Sequence, residues 1–275
     1  AIAADLEVED FYWRMPDMTM NGNDIILNAV ADRMRTDLTL RNHDLDATFR
    51  SPAPVSILAK GFTDASAIID GCIADRIVRV DSVQHALPPF SLDLTAGEDN
   101  LLHNYLLDLD MSFSDLKLHA ANDSLITANA SLLDFRTGET TLDSIGFNLF
   151  QRGKFLIYDV NIDNRPGTLD AFAKINGKGF IGPEKFGLMV KQQNIQGETG
   201  FSFGTTVNMP DENTVALRFV PYHPIIGYKD WEVNRDNIIT YNLRTHHIDA
   251  NLNLHNDMST VEILTRHNEA DSTQE

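Results

Sequence analysis

The sequence predicts an all-β protein built on an antiparallel sheet. Three observations favour this class: runs of strict alternation between apolar and polar residues, turn-forming clusters between these runs, and few stretches with helical spacing. A period of two places successive side chains on opposite faces of a strand. Because one face of each run is polar, we expect a sheet solvated on one side rather than a parallel sheet buried on both.

Two alternating runs stand in the first fifty residues. Residues 4–8 and residues 45–49 each switch between apolar and polar side chains at every position. The Asn-Gly-Asn cluster at 21–23 is typical of a turn between strands. We therefore expect both runs to be strands with one apolar face.

Helix is predicted in only two short segments. Asp64 can cap a first helix, although Gly71 weakens that prediction. Asp99 can cap a second helix, which would lead into a strand beginning near Leu107. The helical stripes consist of Ile68, Ile69, Cys72 and Ile73 in the first helix and Leu101, Leu102, Tyr105 and Leu106 in the second.

Residues 107–114 alternate without exception and are predicted to form a strand. Shorter runs at 116–120 and 156–162 predict two more strands, and the clusters at 137–139 and 164–167 predict turns. The apolar side chains of the 107–114 run are Leu107, Leu109, Met111 and Phe113.

The C-terminal third repeats the same pattern. A turn cluster at 210–213 separates two of its alternating runs, and the run at 248–255 is as regular as the one at 107–114. The apolar positions of these predicted strands are Phe201 and Phe203, then Val215, Leu217 and Phe219, then Ile248, Ala250, Leu252 and Leu254.

Composition and charge exclude several classes of function. Hydrophobic residues make up 43% of the chain, which is too many for a disordered protein. With 22 basic and 40 acidic residues the formal net charge is −18, whereas nucleic-acid binding requires a cationic surface. Cys72 is the only cysteine, which excludes an intrachain disulfide and a thiolate metal cluster. We expect no nucleic-acid partner.

No motif for catalysis, phosphate binding or metal binding stands in the sequence, so we expect a non-enzymatic protein without a cofactor. Asp44, Asp46, Asp108 and Asp110 invite a glycosidase hypothesis, but they occupy alternate strand positions or turns, where aspartate is ordinarily solvated.

Two further clusters in the sequence have residue types found in binding sites. His246, His247 and His255 form the densest histidine group, but along a strand His247 and His255 would lie about 26 Å apart, too far to share a metal. The glycines at 177, 179 and 182 resemble a phosphate loop only superficially, since no strand-to-helix junction surrounds them. We expect bulges or turns there.

The strand pattern continues without a linker, which predicts a single elongated β unit over residues 1–266. The polar tail over residues 267–275 is predicted to be frayed. No signal peptide and no apolar run long enough to span a bilayer is present in the sequence. We interpret the chain as a piece of a larger protein.

The stretch from residue 180 to residue 265 resembles TamB-like translocation and assembly module proteins of the Bacteroidetes type, a family related more distantly to the AsmA-like group. The upstream helix at 99–106 and the strand after it are compatible with the same family but less specific. The segments that carry the resemblance are FIGPEKF at 180–186, PYHPIIGY at 221–228, WEVN at 231–234 and IDANL at 248–252.

The resemblance implies a half-rolled antiparallel sheet, shaped like a gutter with a hydrophobic inner face. Family members are anchored in the inner membrane, cross the periplasm and act at the outer membrane. They are thought to carry phospholipid acyl chains or to assist outer-membrane protein assembly. The resemblance thus implies a periplasmic location, phospholipid acyl chains as ligands and an outer-membrane β-barrel assembly partner, with the apolar positions named above for residues 107–113, 201–203, 215–219 and 248–254 lining the groove.

The same alternation also fits a closed β-sandwich or barrel that serves as a binding or interaction module of the cell envelope. In that alternative every apolar residue is ordinary core. A β-helical adhesin stalk is a third class, but the sequence has no fixed repeat of twenty-odd residues. An open apolar furrow favours the lipid conduit, and an apolar face sealed by a second sheet contradicts it.

Overall fold

The computed structural model describes residues 2–15, 18–21, 24–75, 77–164 and 172–265. Within these ranges the chain is mostly β-strand. Its first half contains all three helices of the described residues. The elements are β1 (Ile2–Val8), β2 (Tyr12–Met15), β3 (Met18–Asn21), β4 (Ile25–Ala31), β5 (Thr36–Asn42), β6 (Leu45–Ser51), α1 (Val55–Asp75), α2 (Val80–Ala86), β7 (Phe90–Ala96), α3 (Leu101–Asp108), β8 (Met111–Ser112), β9 (Asp115–Asn122) and β10 (Ile126–Thr137).

The second half of the described chain is a succession of strands, most of them joined by short turns. Its elements are β11 (Thr140–Arg152), β12 (Phe155–Asp163), β13 (Lys174–Gly182), β14 (Lys185–Gln193), β15 (Thr199–Asp211), β16 (Thr214–Ile226), β17 (Lys229–Asp230), β18 (Glu232–Val233), β19 (Ile238–Asn242), β20 (Ile248–His255) and β21 (Thr260–Leu264).

All strands except β2 and β3, which form a separate hairpin, belong to one 19-stranded sheet. Every pairing is antiparallel. The registers join β1 to β4, then run through β5, β6, β7, β9 and β10 to β16, and continue through β19 and β20 to β21. The sheet is open and is not closed into a barrel. The predicted fold class is confirmed, and a closed barrel is not observed.

Most of the alternating runs form the predicted strands. The runs at 4–8, 45–49, 116–120, 156–162, 201–203, 215–219 and 248–255 lie in β1, β6, β9, β12, β15, β16 and β20. Gly138 adopts a φ of +54° in the turn between β10 and β11, as its turn cluster predicts. The turn clusters at 21–23 and 164–167 extend beyond the described residues, and the predicted tail at 267–275 lies outside them.

The first helix is longer than predicted, and Asp64 does not cap it. Helix α1 begins at Val55, and the carbonyl of Pro54 accepts hydrogen bonds from the backbone N–H groups of Ile57 (3.0 Å) and Leu58 (3.1 Å). Asp64 lies inside the helix, where it pairs with the Lys60 ammonium. Leu58, Ala65 and Cys72 are buried at intervals of seven residues, so packing along this face stabilises the whole length. In the described part of the chain, no helix is both long and apolar enough to cross a membrane.

The predicted strand at 107–114 is wrong for most of its length. Helix α3 continues through Asp108, Leu109 is its C-terminal cap residue, and only Met111–Ser112 form a strand. Its N-cap is Asn100 rather than Asp99, because the Asn100 side chain accepts a hydrogen bond from the backbone N–H of His103 (2.9 Å). Tertiary packing overrides the local strand pattern here, because the helix buries apolar side chains against the sheet.

Helix α3 packs at the end of the sheet where β6 begins and β7 ends. Leu45, Ala96 and Phe113 form a buried cluster there, and Leu102 and Leu106 of α3 pack against it. These two helix positions are four residues apart and therefore lie on one face. The apolar side of the helix is thus used to cover one end of the sheet.

A carboxylate fixes the start of α3. Asp44, in the turn between β5 and β6, accepts hydrogen bonds from the backbone N–H of Asp99 (3.0 Å) and the side-chain amide of Asn100 (2.6 Å). Burial alone would raise the pKa of Asp44, but these hydrogen bonds outweigh burial and lower it. Asp44 is therefore a structural residue that joins the turn to the helix.

The glycines of β13 do not mark bulges or a phosphate loop. Gly177 and Gly179 are regularly paired on both sides, opposite Val160 and Tyr158 of β12, and Gly182 ends the strand at a hairpin turn. A Cβ at Gly179 would lie 2.6 Å from the Tyr158 hydroxyl oxygen. The prediction of bulges or turns is wrong at 177 and 179. At 179 the glycine makes room for the Tyr158 ring, whereas a Cβ at 177 would meet no atom within 4 Å.

Candidate functional site

The registers place a continuous row of apolar residues across most of the sheet. Residues directly opposite each other in antiparallel strands share a face, so the row can be followed from strand to strand. It contains no charged or polar side chain. From β1 to β15 the row is Leu6, Leu27, Leu40, Ala47, Leu94, Leu118, Ala130, Phe147, Val160, Gly177, Val190 and Phe203. We call this the apolar row and the sheet side that bears it the apolar face.

The neighbouring row points to the opposite face and is mainly polar. Its side chains interact with one another: Asp93 Oδ1 lies 2.7 Å from Nδ1 of His119. Because side chains alternate, this polar row is displaced from the apolar row by a single residue in each strand. It consists of Asp5, Asn28, Thr39, Thr48, Asp93, His119, Asn129, Asn148, Asp159, Lys178, Met189 and Gly204.

The apolar face is only partly covered. No residue of the apolar row is fully buried, and Leu118, Ala130 and Phe147 at its centre are each partly exposed. Residues packed between two layers of a sandwich would be closed off from solvent. Leu45 and Ala96, each two residues from the row in its own strand, are buried on this face because α3 packs over them. The arrangement is an apolar surface that remains accessible along the middle of the sheet.

A recess of about 190 Å³ deepens the apolar face near its C-terminal end. The rings of Phe203 and Phe219 lie 5.0 Å apart there, and Phe201 lies 5.8 Å from Phe203. Leu252 is 6% exposed and forms part of the wall. The lining residues are Phe201, Phe203, Phe219, Ile226, Val233, Leu252 and Leu254.

Nine of the predicted groove residues share this face. Phe201, Phe203, Phe219, Leu252 and Leu254 meet at the recess. The other four lie on the same side of neighbouring strands. Leu217 pairs with Ile239, which in turn pairs with Ala250. Val215 pairs with Tyr241, which in turn pairs with Ile248.

The remaining four predicted groove residues do not lie in the predicted strand. Leu107 is in the last turn of α3 and Leu109 follows it, and both side chains are about half exposed. Met111 belongs to the two-residue strand β8. Phe113 is 2% exposed and packs in the cluster beneath α3, with its ring 5.2 Å from that of His103.

Sequence reasoning missed part of the face. Phe147 and Val190 follow the same alternation as the predicted strands and could have been found from it. Ile226 and Val233 line the recess without any alternation, because β16 changes its register against β15 and β18 is only two residues long. No apolar–polar alternation marks these two residues, although both lie in the segments 221–228 and 231–234 singled out in the sequence.

Several histidines of the described residues are paired with carboxylates. His247 Nε2 lies 3.0 Å from a carboxylate oxygen of Asp249, and His255 Nε2 lies 3.6 Å from one of Glu232. Among the described residues, no three His, Cys, Asp or Glu side chains are grouped so that they could hold a metal ion. On the apolar face, burial raises the pKa of the Tyr158 phenol, which stays protonated at neutral pH.

No protein-family model, curated protein or solved structure matches this chain. The site is therefore defined by its own geometry, a partly exposed apolar face that continues from strand to strand. Such a surface suits a ligand that is itself apolar and extended.

Proposed function

We propose that the chain is a non-enzymatic, periplasmic segment of a TamB-like cell-envelope protein, whose apolar face carries phospholipid acyl chains between the inner and outer membranes. The observation that carries the proposal is the unbroken apolar row from Leu6 to Phe203. An outer-membrane β-barrel assembly partner belongs to the same proposal.

The chemistry of the face supports an acyl chain as ligand. Hydrocarbon burial contributes about 25 cal/mol for each Å² removed from water and has no directional requirement. The apolar row offers no charge or hydrogen-bonding side chain that would hold a ligand at one place. A chain bound in this way can move from strand to strand, since each step exchanges one apolar contact for an equivalent one.

The open sheet supports a conduit better than a sealed module. A binding module with a closed core would bury its central side chains, whereas Phe147 and its neighbours Ala130 and Val160 are each partly exposed. Leaving such a surface in water is unfavourable, and large exposed apolar surfaces usually mark an interaction site.

The test compares Phe147→Arg with Asn148→Arg. Phe147 lies in the apolar row and Asn148 in the polar row, one residue away. A charge at 147 puts an unpaired cation where the acyl chain must pass, which costs several kcal/mol unless the side chain reaches water. We expect photo-crosslinking of a photoactivatable phospholipid to fall about tenfold or more, with little change in the melting temperature.

Asn148→Arg is the matched control. Its side chain is exposed, and the facing Asp159 can pair with the new cation, so lipid capture and the melting temperature should both be preserved. A wild-type protein that captures no phospholipid would contradict the conduit, as would equal crosslinking by both variants.

A further inference from the structure

A second apolar cavity lies at the opposite end of the sheet from α3. It has a volume of about 350 Å³ and sits between α1, α2 and the first residues of β10 and β12. We call it the cap cavity. Its lining residues are Ile69, Cys72, Val78, Val80, Val83, Ile126 and Leu156.

Polar side chains at the rim fix α2 over the sheet. The side-chain amide of Asn122, which is 1% exposed, donates to the carbonyl oxygens of Leu87 (2.7 Å) and Gln84 (3.1 Å). The Gln151 amide, 3.4 Å from a carboxylate oxygen of Asp81, holds the first turn of the same helix. Helix α2, the roof of the cap cavity, is therefore anchored by partly buried hydrogen bonds.

The lining of the cap cavity selects hydrocarbon. Cys72 is the one lining residue with a polar side-chain atom, and its sulfur already accepts a hydrogen bond from the backbone N–H of Arg79 (3.3 Å). The cavity thus offers no donor, acceptor or charge to a head group. Its volume is at the lower end of the range of about 300–1,000 Å³ found for ligand pockets. An apolar ligand would regain the dispersion contacts that an empty space forfeits.

The cap cavity is continuous with the apolar face. Ile126 precedes Ala128 by two residues on β10, and Leu156 precedes Tyr158 by two residues on β12, so both lining residues belong to that face. Ala128 and Tyr158 both lie opposite Leu149 of the intervening strand. A chain lying along the face at these strands meets the cap cavity at its end.

We infer that the cap cavity holds the end of one phospholipid acyl chain whose remainder lies on the apolar face. This inference rests on the proposed function and adds a defined binding position to it. The helices α1 and α2 then act as a stop at one side of the sheet, where a chain that otherwise moves freely is retained.

Cys72 provides a direct measurement, since it is the only cysteine in the chain and lines the cap cavity. The experiment follows its modification by methyl methanethiosulfonate, using mass spectrometry on the full chain. The probe is myristoyl lysophosphatidylethanolamine, a single-chain phospholipid. At a lipid concentration of ten times its Kd, about one protein molecule in eleven has no bound lipid. We therefore expect the rate of Cys72 modification to fall about tenfold.

Two further probes identify the part of the lipid that binds. Glycerophosphoethanolamine, the head group without a chain, should leave the rate unchanged, and equal protection by it would overturn the inference. Myristate, which has the same hydrocarbon chain, should also protect Cys72. Protection by myristate alone would overturn the assignment to a phospholipid.

Val83→Phe fills the cap cavity from α2, and Ser82→Phe adds the same ring to the exposed side of that helix. Val83→Phe should abolish protection of Cys72, whereas Ser82→Phe should retain it. If Val83→Phe fails to fold, Ile69→Phe at α1 takes its place, since Ile69 is 46% exposed and tolerates a larger ring.

The outcome separates this inference from the proposed function. Phospholipid crosslinking that depends on Phe147, without protection of Cys72, would overturn the cap cavity as a site and leave the conduit standing. The absence of both would contradict the proposed function itself. Protection that survives in Val83→Phe would also overturn the inference, because it would report stabilisation elsewhere in the chain.

Discussion

The phenol of Tyr158 donates a hydrogen bond to the backbone carbonyl oxygen of Gly187, with 2.9 Å between the two oxygens. Tyr158 is on β12 and Gly187 is on β14, so the side chain crosses the whole width of β13. It crosses at Gly179, where a Cβ would lie 1.9 Å from the Gly187 oxygen. One aromatic residue thereby joins three strands of the apolar face, and the absence of a side chain at 179 makes this possible.

Gly179→Ala should destabilise the protein strongly. The new methyl group cannot occupy the space of the Tyr158 hydroxyl and the Gly187 carbonyl, so the ring or the backbone must shift. We expect a loss of about 1–3 kcal/mol in the free energy of unfolding, as for other overpacked sites. Urea denaturation followed by circular dichroism measures this loss.

Gly177→Ala is the control for that experiment. Gly177 lies two residues away on the same face, but a Cβ there would meet no atom within 4 Å. Because glycine in a strand costs about 0.5–1 kcal/mol relative to alanine, this variant should be neutral or slightly more stable. Equal destabilisation by both variants would refute the role given to the Tyr158 crossing.

Tyr158→Phe should change how stability depends on pH in alkaline solution. Burial raises the pKa of this phenol above its ordinary value of 10.0 in the folded state. The unfolded chain loses the proton first, so this contribution to stability is complete below pH 10 and is lost as the pH rises through the folded pKa. The variant should lack this alkaline loss and be about 1 kcal/mol less stable at neutral pH, where the Gly187 hydrogen bond is missing.

Tyr222→Phe is the matched comparison, since Tyr222 is 46% exposed. Unfolding free energies of wild type and both variants, measured at intervals from neutral pH to about pH 11, supply the test. A Tyr158→Phe profile parallel to that of the wild type would show that the buried phenol does not cause the alkaline loss.

Leu252→Ala should open the wall of the recess. Leu252 is 6% exposed, and burial of this extent predicts a loss of about 2–5 kcal/mol on truncation. Ile263 lies directly opposite on β21 but is 47% exposed, so Ile263→Ala should cost about 1 kcal/mol or less. Chemical denaturation of the two variants gives the comparison. Similar losses would mean that Leu252 is not part of a closed wall.

The burial of Leu252 also decides where the conduit can be tested. An arginine at 252 would have no short path to water, so loss of lipid capture there could not be separated from unfolding. Phe147 is partly exposed and lies at the centre of the apolar row. An arginine at 147 can therefore test lipid capture without unfolding the protein.

Several strands and their faces could be predicted from the sequence because the signal is local. In β1, β9 and β20 the side-chain period of two appears within a few residues and needs no knowledge of the partner strand. The same signal failed at residues 107–114. There, Leu102 and Leu106 extend the helix by packing against the cluster of Leu45, Ala96 and Phe113, which come from distant parts of the chain.

The residues of the candidate site also differ in whether local spacing predicts them. Phe201, Phe203 and Leu252 could be assigned to an apolar strand face from their spacing, but Val233 could not. The spacing of Cys72 and Leu156 predicts an apolar face for each but not that they line one cavity. Those residues come together only through the register change in β16 and the position of α2.

Which side of each alternating strand is apolar can be read from the sequence, because it depends only on the order of the residues and the pleat of the backbone. Strand pairing joins these faces into one row from Leu6 to Phe203 and leaves the sheet open, and helices of the described residues cover the face at its two ends. These properties depend on pairing between residues far apart in the chain, and no local pattern contains that information.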